Sequence, residues 1–276
     1  MSAPVATSGG GVGMPARQEE VLATVASRVW TTIREEVQRD YQSEPLLSGF
    51  MFSTILAHDT MEESLAFILA KKLENAVLPA PKLSQLFQEV LRLEEVRKDY
   101  LADLMATYER DPACRRYSSC FLYYKGFHAI QTHRVAHALY NQGRTSLALF
   151  LQSRSSEAFH VDIHPGARIG RGMMLDHATG VVMGETAVVG DNCSMLHSVT
   201  LGGSGKVTGD RHPKIGKGVF IGAGAVILGN VKVGDDSKIG SCAVVTKEVP
   251  AKHVAVGMPA KMFPLRRLEK RIKSKL

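Results

Sequence analysis

The segment IGKGVFIGAGAVILGNVKVGDDSKIGSCAVV, Ile215 to Val245, places an aliphatic residue at every sixth position: Ile215, Ile221, Ile227, Val233, Ile239 and Val245. A helix returns a side chain to one face after about 3.6 residues and a strand after about two, so neither has this period. Short fixed repeats mark a solenoid, in which one repeat cannot bury its apolar residue alone and stacks on the next to build a continuous core. The hexad predicts one short strand per face of a triangular prism, with the sixth-position residue inward and about three hexads per coil. Glycine follows the inward residue at Gly170, Gly216, Gly222, Gly234 and Gly240, where it is expected to allow positive φ and close backbone approach at a corner.

The same beat runs upstream through Ile163, Ile169, Leu175, Val181, Ala187, Cys193 and Val199. The two series do not join, because sixteen residues separate Val199 from Ile215 where six or twelve would continue the pattern. One corner must therefore carry an excursion of about ten residues within GGSGKVTGDRHPK, Gly202 to Lys214. Long loops on rigid scaffolds commonly carry function, and this one holds Lys206, Asp210, Arg211, His212 and Lys214. A purely solvated loop is the alternative.

At 276 residues the chain has room for two domains. No apolar run reaches the length of a membrane span, so no membrane partner is expected. Cys114, Cys120, Cys193 and Cys242 show neither CxxC pairing nor metal-ligand spacing, and Cys193 falls on an inward position, which suits a reducing, cytoplasmic setting. The net charge of +7 is concentrated at one end: Lys261 to Leu276 holds seven basic residues and one acidic residue. The remainder is nearly neutral, which argues against a nucleic-acid groove across the fold.

These patterns divide the chain into four parts. Residues 1–16, rich in Gly, Ser, Ala and Pro, are expected to be a disordered leader without signal- or transit-peptide character. Residues 17–158 read as helical, with Val25, Val29, Trp30 and Ile33 on one stripe and Met61, Leu65, Ile68 and Leu69 on another. Asp59 or Thr60 would cap the second of these helices, and Pro79, Pro81 and Pro112 punctuate the later ones. Residues 159–260 form the solenoid and 261–276 a basic tail.

VDIHP (Val161 to Pro165) and LDHATG (Leu175 to Gly180) carry the most suggestive chemistry. Asp162 and His177 are fifteen residues apart, close to one coil, so contact between adjacent rungs is possible. A carboxylate on one imidazole nitrogen sets the tautomer and raises the basicity of the other, as a general base for a hydroxyl requires. Turn hydrogen bonds at a corner are the alternative. His133 and His137 have a four-residue spacing that could chelate a metal, but no Cys or acidic third ligand lies nearby, and no metal is expected.

LDHATG, GETAVVG (Gly184 to Gly190), VTLGG (Val199 to Gly203) and GDRHPKIG (Gly209 to Gly216), with RDPA (Arg110 to Ala113) and KGFHA (Lys125 to Ala129) upstream, together resemble the serine O-acetyltransferases. The resemblance spans about Arg17 to Pro259. It implies an α+β chain, an all-helical N-terminal oligomerisation domain followed by a left-handed parallel β-helix that carries catalysis. It also implies the first step of cysteine biosynthesis, in which acetyl passes directly from acetyl-CoA to L-serine.

By the same resemblance His177 is the general base and Asp162 its orienting partner, while Asp111, Asp176, Arg211 and His212 hold the amino acid. The charge logic agrees: a bidentate Arg211 suits the serine carboxylate, and Asp111 and Asp176 suit its ammonium. Gly203, Ala223 and Lys238 match coenzyme A positions, with acetyl-CoA a co-substrate and no cofactor permanently bound. The family further implies a homotrimer or dimer of trimers and feedback inhibition by L-cysteine.

The ending RIKSKL departs from the acidic or neutral tails, ending in isoleucine, that dock into O-acetylserine sulfhydrylase, so that partner stays open with Leu276 as the nearest mimic. Ser274, Lys275 and Leu276 also spell a peroxisomal address, which has meaning only in a eukaryote, a solvated basic tail helix being the alternative. Rival readings are an acetyltransferase for homoserine or an amino sugar, a non-catalytic assembly partner, and a zinc hydratase using His164 and His197.

Overall fold

A computed structural model describes residues 16–205 and 208–265. The leader up to residue 15, Lys206 of the excursion, and the tail from residue 266 with its terminal tripeptide lie outside the described residues.

Among the described residues the first part is helical: α1 (Ala16–Ser43), α2 (Ser48–Met51), α3 (Met61–Leu73), α4 (Ala80–Leu91), α5 (Glu94–Arg110), α6 (Tyr117–Tyr123), α7 (Lys125–Asn141) and α8 (Thr145–Phe159). Thr60 caps α3, its hydroxyl accepting from the Glu63 N–H at 3.3 Å while the Glu63 carboxylate accepts from the Asp59 N–H at 3.3 Å. Pro79 precedes α4 and Pro81 occupies its first turn, where a missing N–H costs nothing. Val29, Trp30 and Ile33 are buried with Val25 packed against them, and Met61, Leu65, Ile68 and Leu69 are buried on α3, so both predicted stripes face the core.

The second part is a left-handed parallel β-helix of about 5 turns. Its first face stacks Val161–Ile163, Val181–Met183, Thr200–Gly202, Val226–Leu228 and Val244–Val245. The second stacks Arg168–Ile169, Val188–Val189, Lys214–Ile215 and Lys232–Val233. The third stacks Met174–Leu175, Ser194–Met195, Phe220–Ile221, Lys238–Ile239 and His253–Val256, closed by antiparallel Lys261–Pro264.

The strand register corrects the sequence reading in three places. Ile163, Ile169 and Leu175 lie against Met183, Val189 and Met195, so the first coil takes twenty residues, 163 to 183, and not eighteen. The additional two residues fall in DHATG, where His177 (φ 56°) and Ala178 (φ 63°) both take left-handed conformation. From there the beat of Val181, Ala187, Cys193 and Val199 marks a second inward position, two residues before the one the ladder continues. Both positions are buried, so side-chain chemistry alone does not separate them.

Second, Val189 lies against Ile215 twenty-six residues on, against eighteen for Met183 to Leu201, so the excursion is eight residues and not about ten. Third, the glycines following the inward residue do not carry positive φ; that falls two residues later, at Gly218 (φ 64°) or Asp236 (φ 57°). Gly222 is needed for close stacking, since a Cβ there would come within 2.6 Å of the Ser241 nitrogen.

Two arginines borne on the helices reach across to the solenoid. Arg134 on α7 is buried with all five N–H groups used: Nε and Nη2 grip Asp103 at 2.6 and 2.8 Å, Nη1 reaches Asp99 (3.1 Å) and the Ile169 carbonyl (3.2 Å), and Nη2 also donates to the Gly170 carbonyl (2.9 Å). Asp103 also accepts from Gln131 Nε2 (3.0 Å) and from the Met173 N–H (2.8 Å). Arg110, the last residue of α5, donates to the Gly172 carbonyl and to Asn192 Oδ1, both at 3.0 Å.

Candidate active site

Arg110 anchors the end of α5 on the solenoid, and the next residue, Asp111, leaves the helix in extended conformation (φ −92°, ψ 107°). Its Oδ1 accepts the Ala113 N–H at 2.8 Å, a local turn that Pro112 reinforces. The start of α7 closes on the same corner because Gly126 has no side chain: a Cβ there would overlap the Leu175 carbonyl and come within 3.3 Å of the Ala178 Cβ. Lys125, just before it, donates to the Thr179 hydroxyl.

A cleft of about 310 Å³ results, lined by Asp111, Tyr124, Lys125, Asp176 and His177, with Tyr123 at its edge. His177 projects from the two-residue insertion with its side chain 77% exposed, which leaves the imidazole free for a ligand. Its Nε2 lies 3.9 Å from Asp176 Oδ1, and its ring stands edge-on to His197 at 6.0 Å. Burial, with Cys114 and Asp111 alongside, raises the Tyr124 hydroxyl above its ordinary range, so it stays a protonated donor.

Arg211 and His212 stand elsewhere, at the corner where the first face turns into the second. Arg211 Nη2 pairs with Glu185 at 3.0 Å and Nη1 donates to the Gly209 carbonyl at 3.0 Å. His212 is buried against Gly184, where a Cβ would overlap the imidazole ring. Gly203 faces both, a Cβ there lying 3.6 Å from Arg211 Cγ and from His212 Nε2. Burial, then the Arg211 and Lys214 charges, depress the His212 pKa; burial likewise lowers His164, near Glu185 and Asp162.

The structure thus brings Asp111, Asp176 and His177 together and sets Arg211 and His212 on another corner of the same chain. Asp162 lies on the first face against Val182 and accepts from Gln152 Nε2 at 2.7 Å. Ala223 sits in the corner column of His177 and His197, its carbonyl accepting from Cys242 as that of His197 accepts from Gly224. Lys238 is exposed on the third face beside Phe220.

Sequence reasoning missed Lys125, Tyr123, Tyr124, Glu185 and Thr186 as site residues. All but the two tyrosines lie inside the quoted strings KGFHA and GETAVVG, whose roles only folding reveals. His137 is engaged at both ring nitrogens, by the Pro165 carbonyl (2.7 Å) and Asn141 (3.0 Å). Among the described residues no group of three or more His, Cys, Asp or Glu is placed to hold a metal ion.

Residues 29–132 match the family described as serine acetyltransferase, N-terminal, and residues 212–247 match the bacterial transferase hexapeptide family of six repeats. The chain is 55% identical over 236 residues to serine acetyltransferase 1, chloroplastic, of Arabidopsis thaliana, covering 85% of this chain and 75% of that one. Its fold matches a soybean serine acetyltransferase complexed with serine (TM-score 0.85, 54% identity, 87% of this chain and 99% of that one). It also matches a serine acetyltransferase from Brucella abortus strain S19 in complex with coenzyme A (TM-score 0.84, 50% identity, 86% and 95%). A helical half and a hexapeptide solenoid joined in this order, with identity of this extent across both, make the chain a member of the serine acetyltransferase family.

Proposed function

We propose that this chain transfers acetyl from acetyl-CoA to the hydroxyl of L-serine, giving O-acetyl-L-serine and CoA. The observation that carries the reading is the cleft that gathers Asp111, Asp176 and His177. The two carboxylates in this cleft suit the serine ammonium, which leaves the hydroxyl for His177. His177 takes the hydroxyl proton as the oxygen attacks the thioester carbonyl; the C–S bond then breaks, and the CoA sulfur leaves with the proton returned by His177. No acyl-enzyme is needed, so holding both substrates in attack geometry supplies much of the acceleration.

The serine carboxylate needs a cation, and Arg211 stands one face away from His177. A complete site therefore forms where the His177 corner of one copy meets the Arg211 corner of the next, Asp162 lying on the first face that joins the two corners within each copy. Three such head-to-tail contacts close a ring, which supports a trimer. Ala223 and Lys238, along the His177 edge, fit the coenzyme arm in the same seam. L-cysteine differs from serine by one atom, fits the same clamp, and is the inhibitor this reading assigns.

The test is release of free CoA from acetyl-CoA with L-serine, against homoserine and glucosamine, with and without L-cysteine. Serine-dependent release suppressed by cysteine supports the proposal. Release only with another acceptor overturns the substrate, and no release with any acceptor overturns the activity.

A further inference from the structure

The GETAVVG string holds a residue that the roles above do not use. The backbone N–H of Thr186 lies 3.2 Å from His212 Nδ1 and donates to it. A backbone N–H has no lone pair to offer, so Nδ1 is the acceptor and carries no proton. The Thr186 hydroxyl lies 2.8 Å from the same nitrogen. Its oxygen accepts the backbone N–H groups of Arg211 (3.1 Å) and His212 (3.2 Å), which leaves the hydroxyl proton to donate to Nδ1 at 2.8 Å, with the Asp210 carboxylate as its rival acceptor. One threonine thus fills the Nδ1 side of the ring through two donors and pins the backbone of the two residues that carry the Arg211 and His212 side chains.

We propose that Thr186 locks His212 as the neutral Nε2–H tautomer, so that the amino-acid-holding role the family resemblance gives His212 is played by an N–H donor and not by a second base. The lock follows from the contacts alone; the donor role rests on the serine reading above. The surroundings agree with a neutral ring: burial, Arg211, Lys214 and His164 all disfavour protonation, and Glu185 alone opposes them. A neutral donor also sits beside the Arg211 guanidinium without the repulsion an imidazolium would add. Nε2 packs on Gly184, where a Cβ would overlap it, and a Cβ at Gly203 would lie 3.6 Å away, so neither position beside the donor carries a side chain. Thr186 is a positioning residue, acting through His212.

Neutron diffraction from deuterium-exchanged crystals at neutral pH reads the lock directly. A deuteron on His212 Nε2 and none on Nδ1 is expected; a deuteron on Nδ1, alone or with one on Nε2, overturns it. Kinetics read the role. Thr186→Val, which keeps the shape and removes the hydroxyl, should raise the serine KM about tenfold, the worth of one buried hydrogen bond, with the acetyl-CoA KM and kcat within about twofold. Thr186→Ser should restore the serine KM, which a merely structural role for the side-chain shape does not predict. A fall in kcat at unchanged serine KM, or failure of Ser to rescue, overturns the donor role. Absence of serine turnover in the parent enzyme would sink the proposed function while leaving the neutron result to stand or fall by itself.

Discussion

Arg134→Met removes the cation that welds the helices to the first coil. The side chains of Arg134 and Asp103 are 4% and 2% exposed, so the carboxylate left behind is fully desolvated, holding only the Gln131 and Met173 donors. Breaking one partner of a buried pair costs about 3–5 kcal/mol, far more than the net worth of the intact pair, because the orphaned charge keeps its desolvation penalty. For a chain of this size that corresponds to a fall in Tm of about 6–20 °C. Urea titration followed by circular dichroism measures it. Arg134→Met with Asp103→Asn should recover at least half of the loss, since the amide oxygen still accepts from the Met173 N–H and no charge remains buried. A cost below about 1 kcal/mol for the single variant, or additive losses in the double variant, would refute the claim that an uncompensated charge, and not lost packing, sets the magnitude.

His177→Ala should cut kcat with L-serine by about a hundredfold or more at unchanged Tm, because general-base catalysis alone is worth that much; near-normal turnover removes the proposed base. Gly126→Ala gains up to about 1 kcal/mol of helix propensity but drives a methyl into the Leu175 carbonyl, so a net loss of about 1–2 kcal/mol and weaker serine binding are expected from thermal melts and kinetics; a rise in Tm would count against the close approach. Burial holds the His128 pKa down at about 3 and that of His133 well below normal. Unfolding frees both to take up protons, so stability is full above about pH 6.5 and falls below it, by about 1.4 kcal/mol per pH unit for each histidine until its folded pKa is reached. His128→Asn should flatten that slope by one proton in urea titrations run at successive pH values.

Much of the molecule was legible in the chain. The six-residue beat determined the solenoid, because burying one apolar residue per short strand is a periodic demand that only stacked coils meet. The stripes through Trp30 and Leu65 determined buried helix faces for the same reason, with period 3.6 in place of six. Motif strings determined the family and named Asp111, Asp176 and His177, which the fold gathers in one cleft although sixty-six residues separate the first from the last.

Tertiary structure alone decided the register, the weld and the division of the site. Val181 and Met183 are both apolar, so side-chain pattern could not reveal that DHATG adds two residues; backbone pairing between coils, set by neighbours about twenty residues away, does. The grip of Arg134 on Asp103 and that of Thr186 on His212 join positions thirty-one and twenty-six residues apart, and nothing local to either member announces the other. That Arg211 stands on a different corner from His177 follows from how many residues each coil consumes, a sum over the whole solenoid that no single motif contains.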